Sequence, residues 1–217
     1  MLTPLLLTLQ IALTAAAVAT VLALGVVLAT HGRRGASLLD SVLTVPLVLP
    51  ATVLGYYLLG ALGARSVVGR AWEAVTGGQL VFSKTGAVIA ATLTAFPMVL
   101  QGTRAAFDAI EPSLLEAART LGATRLGALR RVALPLASRG IAAGVVLGFA
   151  RACGDFGATL MLAGNIPGET QTASLALFDA VLLGQHELAL QLALSLTTLA
   201  VAAFVLVRWL GRRVHVD

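Results

Sequence analysis

The chain has 217 residues, of which 58% are hydrophobic and 12% charged, against about 25% charged residues in an ordinary soluble domain. Its net charge is +5 and Lys84 is its only lysine. Its apolar runs approach or exceed the roughly 18–20 residues that cross a bilayer, which excludes one or two soluble domains, and the arginines at the ends of those runs fit orientation in a membrane better than binding of nucleic acid.

In chain order, Met1-Leu2-Thr3-Pro4 has no positive n-region, and the run behind it is longer than the h-region of a signal peptide. This predicts a permanent span over about Leu5 to Thr30, closed by His31-Gly32-Arg33-Arg34. A second span is expected over about Val42 to Leu62, with Pro46 and Pro50 inside it. The connection that follows contains Gly78-Gln-Leu-Val-Phe-Ser83-Lys84-Thr85. It misses a P-loop because Ser83 replaces the glycine before the lysine and no strand precedes it. The third span is expected from near Gly86 through Pro97 to about Phe107, the fourth over about Ile141 to Leu162, and the fifth over about Leu188 to Leu210. Proline within a span removes a backbone donor and favours a kink. Between the last two spans, Asn165-Ile166-Pro167-Gly168 is a turn signal. Thr172 to Gln185 is apolar but too short to cross and carries Asp179, so a short outer-face or re-entrant helix is expected. The whole chain, 1–217, reads as one transmembrane domain with a loop at about 108–135.

The arginines set the expected topology. With the Arg33 connection inside, inside segments hold Arg33, Arg34, Arg104, Arg119, Arg125, Arg130, Arg131, Arg139, Arg208, Arg212 and Arg213. Outside segments then hold only Arg65, Arg70 and Lys84. This asymmetry places the amino terminus outside and the carboxy terminus in the cytoplasm.

Glu116 to Pro135 is a basic, amphipathic island between two spans. Ser113-Leu-Leu-Glu116 matches the capping box, in which a serine hydroxyl and a glutamate carboxylate satisfy each other's backbone amides. The predicted helix runs to Leu121 and stops at Gly122, a residue suited to a left-handed C-cap. Leu114, Leu115, Ala118 and Leu121 share a face. Thr124 is expected to cap a second short helix carrying Leu126, Leu129 and Val132, ended by Leu134-Pro135. Physics alone leaves two uses open, docking of a partner and lying on the lipid surface through leucine and arginine.

Glu116-Ala117-Ala118, Gly122 and Val132-x-Leu134-Pro135 at their spacing resemble the EAA motif of binding-protein-dependent ABC importer permeases, which more often have Ile at the Val132 position. The resemblance extends through Pro46 to Pro50, Gly55-Tyr56, Ala150 to Leu160 and Asn165 to Thr170. In these segments the chain is similar to the molybdate permease family, and the sulfate/thiosulfate permeases are the nearest alternative. The resemblance implies an all-α integral membrane protein of type I ABC importer permease architecture, with about five transmembrane helices and a cytoplasmic coupling helix seated in a groove of a separate ATPase. It implies that Leu114, Ala117, Ala118 and Leu121 face that groove, that Glu116, Leu134 and Pro135 belong to the coupling site, and that Gly122 makes the bend. The implied partners are a second copy of the chain, two ATPase subunits holding ATP and Mg, and a periplasmic or lipid-anchored molybdate-binding protein in a bacterial inner membrane. Tungstate is expected as a second cargo.

Arg151 and Asp155 lie at i and i+4 in the fourth span, a spacing that places them on one helical face. A charge near the bilayer centre costs about 2.5–3.5 kcal/mol on insertion scales. The pair is expected either to satisfy itself and fix packing or, with Gly154 and Gly157, to border the anion path. Asp155 stands where relatives usually carry Glu. Gly144 and Gly148 form a GxxxG, which allows close helix approach within the chain or to a second copy. Cys153 is the only cysteine, so neither a disulfide nor a cysteine metal site is possible within one chain. His31, His186 and His215 show no metal-ligand spacing, and no nucleophile–base pair is legible. The chain is expected to bind no cofactor of its own and to be no enzyme. A secondary transporter would carry several ionisable groups at mid-depth, and only Arg151 and Asp155 qualify. A membrane scaffold without transport is the remaining class.

Overall fold

The computed structural model describes residues 2–31 and 35–212. Arg33, Arg34, Arg213 and His215, used above for topology and metal spacing, lie outside the described residues. Eleven α-helices and one π-helical turn make up the described chain: α1 (Leu2–Thr30), α2 (Ala36–Val48), α3 (Ala51–Leu62), α4 (Val67–Thr76), α5 (Lys84–Asp108), α6 (Pro112–Thr120), α7 (Arg125–Ala128), the π-helical turn (Leu129–Ala133), α8 (Leu134–Cys153), α9 (Gly157–Ala163), α10 (Ala173–Leu182) and α11 (His186–Arg212). Four helices are long and apolar enough to cross a membrane, or five if α2 and α3 count as one.

The second expected span is broken. Helices α2 and α3 meet at an angle of 108°. Leu49 is extended, with φ −66° and ψ 138°, as the residue before a proline prefers, and Pro50 has no amide to continue the ladder. The fourth span is displaced. Its helix stops at Cys153, and the apolar residues up to Leu162 belong to α9 instead. At its start, Leu134-Pro135 does not end the preceding unit, because Arg125 to Cys153 is one helical run. The π-helical turn lies immediately before Pro135, and in it the Leu134 amide reaches back to the carbonyl of Leu129. The helix thereby widens where the proline ring would crowd the turn before it. Pro97 sits inside an unbroken α5.

Helix α5 is the central post, packed on α1 and α8, while α11 lies against α8 and α10. Small residues set this spacing: Ala12, Ala15, Ala19 and Ala23 of α1 and Ala87, Ala90, Ala91 and Ala95 of α5 have no exposed surface. Side chains of this size let two backbones approach closely in lipid. The GxxxG is spent within the chain. A Cβ on Gly144 would stand 3.1 Å from the Gly102 Cα, and one on Gly148 would meet Val99 at 2.4 Å. The short helix α10 falls where it was expected. Its Asp179 accepts from Asn165 Nδ2 at 2.8 and 2.9 Å and from Gln171 Nε2 at 2.9 Å, which ties down the preceding loop. The connection between the second and third spans carries a helix, α4. Ser66 caps α4 there by accepting from the Gly69 amide, and Gly77 closes it with φ 72°.

Candidate coupling loop and buried polar clusters

Helix α6 begins two residues earlier than the capping box requires. Pro112 occupies its first turn, Glu111 is the N-cap, and no side chain caps it. Proline is preorganised for that position and brings no amide that needs a partner, so Ser113 lies inside the helix and the expected Ser113–Glu116 exchange does not form. The other end matches expectation. Gly122 has φ 89°, its amide bonds the Arg119 carbonyl, and the Ala123 amide bonds the Ala118 carbonyl. These two bonds form a Schellman motif, which needs a left-handed residue at the Gly122 position. Thr124 Oγ1 accepts from the Gly127 amide at 3.1 Å, and α7 starts there.

The four residues expected to share an outward face divide. Leu114, Ala117 and Leu121 are exposed, Leu121 by 89%, whereas Ala118 is half-buried. Leu115 packs inward on the cluster that contains Phe107 and Leu129. Glu116 is exposed beside Arg119 and Arg125 in a cavity of about 350 Å³ between α6, α7 and His31. Leu134 and Pro135 stand apart from this surface, in the first turn of α8, where Leu134 packs on the same apolar cluster. Arg125 donates to the His31 carbonyl, and the His31 ring meets Phe107 edge-on at 5.7 Å. Burial, with help from Arg104 and Arg125 and against Asp108, holds His31 below its ordinary pKa.

Asp155 does not share a helical face with Arg151, because α8 ends between them. It occupies the break before α9 and is 1% exposed. Its Oδ2 accepts from the Thr159 amide at 2.9 Å and from the Thr159 hydroxyl at 2.7 Å, satisfying an amide that the first turn of α9 leaves open. Arg151 Nη1 is 3.5 Å from Oδ1, and its side chain is 31% exposed. Ser174 of α10 donates to the Asp155 carbonyl at 2.7 Å, so this residue joins three helices. A Cβ on Gly157 would stand 3.0 Å from the Thr52 amide nitrogen. Gly157 therefore serves packing of α9 on α3, while Gly154 is exposed and no atom would crowd a side chain there.

A second ionic cluster was not foreseen. Arg104 Nη2 donates to Asp40 Oδ1 at 2.8 Å and to Thr30 Oγ1 at 2.6 Å, and Nε lies 2.7 Å from Asp40 Oδ2. The signal was present in the sequence, since a carboxylate in an apolar helix requires a partner. Among the described residues no group of three His, Cys, Asp or Glu could hold a metal.

The family described as "Binding-protein-dependent transport system inner membrane component" matches residues 21–216. The molybdenum transport system permease protein ModB of Escherichia coli K12 is 41% identical over 179 residues, covering 82% of this chain and 78% of that protein. The sulfate transport system permease protein CysT of Salmonella typhimurium is 34% identical over 152 residues, covering 70% and 54%. A chain in the crystal structure of a bacterial alginate ABC transporter, in complex with an alginate pentasaccharide-bound periplasmic protein, superposes with a TM-score of 0.66 over 99% of this chain and 78% of its own. At 16% identity that likeness is one of fold.

Proposed function

This chain belongs to the family of binding-protein-dependent transport system inner membrane components, and we propose that it is the membrane-spanning permease subunit of an ATP-driven importer of molybdate, with tungstate as a second cargo. The observation that carries this reading is the 41% identity to a molybdenum permease over most of both chains. The sulfate relative is less similar and matches over a shorter stretch, so molybdate is favoured over sulfate. The chain is a multi-pass membrane protein and not an enzyme. ATP and Mg belong to a separate ATPase.

Two copies of the chain work with two ATPases and a periplasmic or lipid-anchored binding protein. Exposed apolar faces support pairing: α2 buries none of its residues, and Leu190, Leu194, Val201 and Phe204 of α11 are exposed. The amino terminus is outside and the loop at 108–135 is cytoplasmic, as the arginine distribution argues. The coupling surface is Leu114, Glu116, Ala117 and Leu121 on α6, with Gly122 setting the angle to α7. Ala118 lies partly behind that surface, while Leu134 and Pro135 stand apart from it at the start of α8, Leu134 packing on the same apolar cluster as Leu115. Closure of the ATPases on ATP draws the two loops together and opens the path outward, and release of hydrolysis products resets it.

Asp155 fixes the corner between α8 and α9, leaving Arg151 as the charge that meets a passing oxyanion. Gly154 and Gly157 give that corner its shape. A pair so nearly neutral makes a conduit and not a tight receptor, so selection rests mainly in the binding protein.

The reading is tested by reconstituting the chain with its ATPase and binding protein. Molybdate-loaded binding protein is expected to stimulate ATP hydrolysis. A Glu116→Arg, Gly122→Leu double variant is expected to lose both stimulation and uptake, and normal hydrolysis and uptake by it would refute the coupling assignment.

A further inference from the structure

Between the loop and the broken helix the structure holds a run of polar contacts, bridged by the backbone of Thr30-His31, that joins four elements. Arg125 of α7 donates to the carbonyl of His31, the residue that follows α1. The preceding residue, Thr30, accepts from Arg104 of α5 at 2.6 Å while its own hydroxyl donates to the Val26 carbonyl at 2.7 Å. Arg104 then grips Asp40 of α2 at two points, 2.7 and 2.8 Å. Both side chains of that pair are mostly buried, at 15% and 22% exposure.

Helix α2 has little else to hold it. None of its residues is buried, and its start at Gly35 has no side-chain cap. Its far end is the 108° joint at Leu49-Pro50. Its main packing partner is α5, the helix that carries Arg104. A planar guanidinium held by a carboxylate at two points fixes orientation as well as distance. The bonds that link the α6–α7 loop to the end of α1 and on to α2 are directional, and α2 meets α3 at the single Leu49-Pro50 joint.

We infer that Asp40 and Arg104 are positioning residues that transmit movement of the coupling loop to the bent α2–α3 pair, a role resting on the importer reading above. Coupling that depends on such a link is a free-energy difference between two arrangements of the bundle. Breaking it shifts the arrangements' balance without abolishing either one.

The test is the ratio of molybdate taken up to ATP hydrolysed in proteoliposomes holding the permease, its ATPase and the loaded binding protein. In Asp40→Asn, ATP hydrolysis persists and the ratio falls about tenfold, within the roughly 5–150-fold span of measured couplings. Asp40→Glu keeps the charge and restores at least half of the ratio. Arg104→Lys keeps the charge but loses the two-point grip, and it lowers the ratio even where Asp40→Asn does not assemble. Asp40→Asn and Arg125→Gln are non-additive, because they cut one chain at two places.

A purely structural ion pair would lower yield or thermal stability and leave the ratio of the assembled complex unchanged. A wild-type ratio in Asp40→Asn or Arg104→Lys, a Glu variant as uncoupled as the Asn variant, or simple multiplication of the Asp40 and Arg125 effects would overturn the inference. If the wild-type complex itself takes up no molybdate, the importer reading falls instead, so the two failures are distinguishable.

Discussion

Substitution of Gly102 by Ala tests the packing of the bundle most sharply. Gly102 of α5 faces Gly144 of α8, and an added Cβ would stand 2.6 Å from the Gly144 Cα and 3.3 Å from its amide nitrogen, where ordinary contact begins at 3.4 Å. The obstacle is backbone, which cannot rotate away, so the two helices must separate along their length. Overpacking of this kind costs about 1–3 kcal/mol. Part of that is offset by up to about 1 kcal/mol of helix propensity gained on replacing glycine by alanine. Gly60 of α3 is the internal control, because a Cβ there meets nothing within 4 Å. Gly60→Ala is therefore expected to be neutral or stabilising. Gly144→Ala, whose Cβ would reach the Gly102 Cα at 3.1 Å, falls between the two. Thermal unfolding of the purified protein in one detergent, followed by circular dichroism, should rank the variants Gly60→Ala, Gly144→Ala, Gly102→Ala from most to least stable. Each kcal/mol corresponds to about 2–4 °C for a chain of this length. Equal midpoints for Gly102→Ala and Gly60→Ala would refute the claim that α5 and α8 meet backbone to backbone.

Three further outcomes follow from local chemistry. At Gly122 a Cβ meets nothing, but φ is +89°, so only backbone strain acts. Hydrogen exchange at the Ala123 amide should accelerate mildly in Gly122→Asn, by about tenfold in Gly122→Ala (roughly 1–2 kcal/mol), and most in Gly122→Val; an unchanged rate in the Val variant would contradict the Schellman geometry. His31 is held below its ordinary value of 6.5, so the unfolded chain binds its proton more readily than the folded one does. Stability contributed at that site is therefore present above pH 6.5 and is lost as pH falls through the folded pKa, and the acid-side loss of thermal stability should diminish in His31→Gln; an identical pH profile would refute this. Thr159→Val removes one of the two hydrogen bonds at Asp155 Oδ2 and leaves the amide bond. The expected loss is about 1–3 kcal/mol of stability, read as a lower unfolding midpoint; a midpoint equal to wild type would show that the hydroxyl carries no load there.

The number of apolar segments and the position of the loop were legible because they depend on run length and on short-range capping. Gly122 and Thr124 act through their own backbone and its nearest neighbours, and both hold the places their residue types imply. The errors arose where a distant or competing contact decides the outcome. Ser113-x-x-Glu116 is a sound cap signal, but Pro112 already occupies the first turn. Arg151 and Asp155 have helical spacing, but α8 stops before Asp155 because that carboxylate is engaged at the start of α9. Pro135 has the form of a helix stop, and the π-helical turn absorbs it. The Arg104–Asp40 pair spans 64 residues, and no periodicity pairs residues so far apart. The reach of the second span failed for a related reason: Pro46 and Pro50 announced a kink, while the 108° angle is set by where α3 packs, on α9.

The measurement that tests the central claim most directly is uptake of labelled molybdate by proteoliposomes containing this chain, its partner ATPase and the loaded binding protein. Uptake should require ATP, continue when ion gradients are collapsed, and be competed by tungstate but not by sulfate. Uptake that proceeds without ATP on an ion gradient, or that sulfate competes while tungstate does not, would contradict the account.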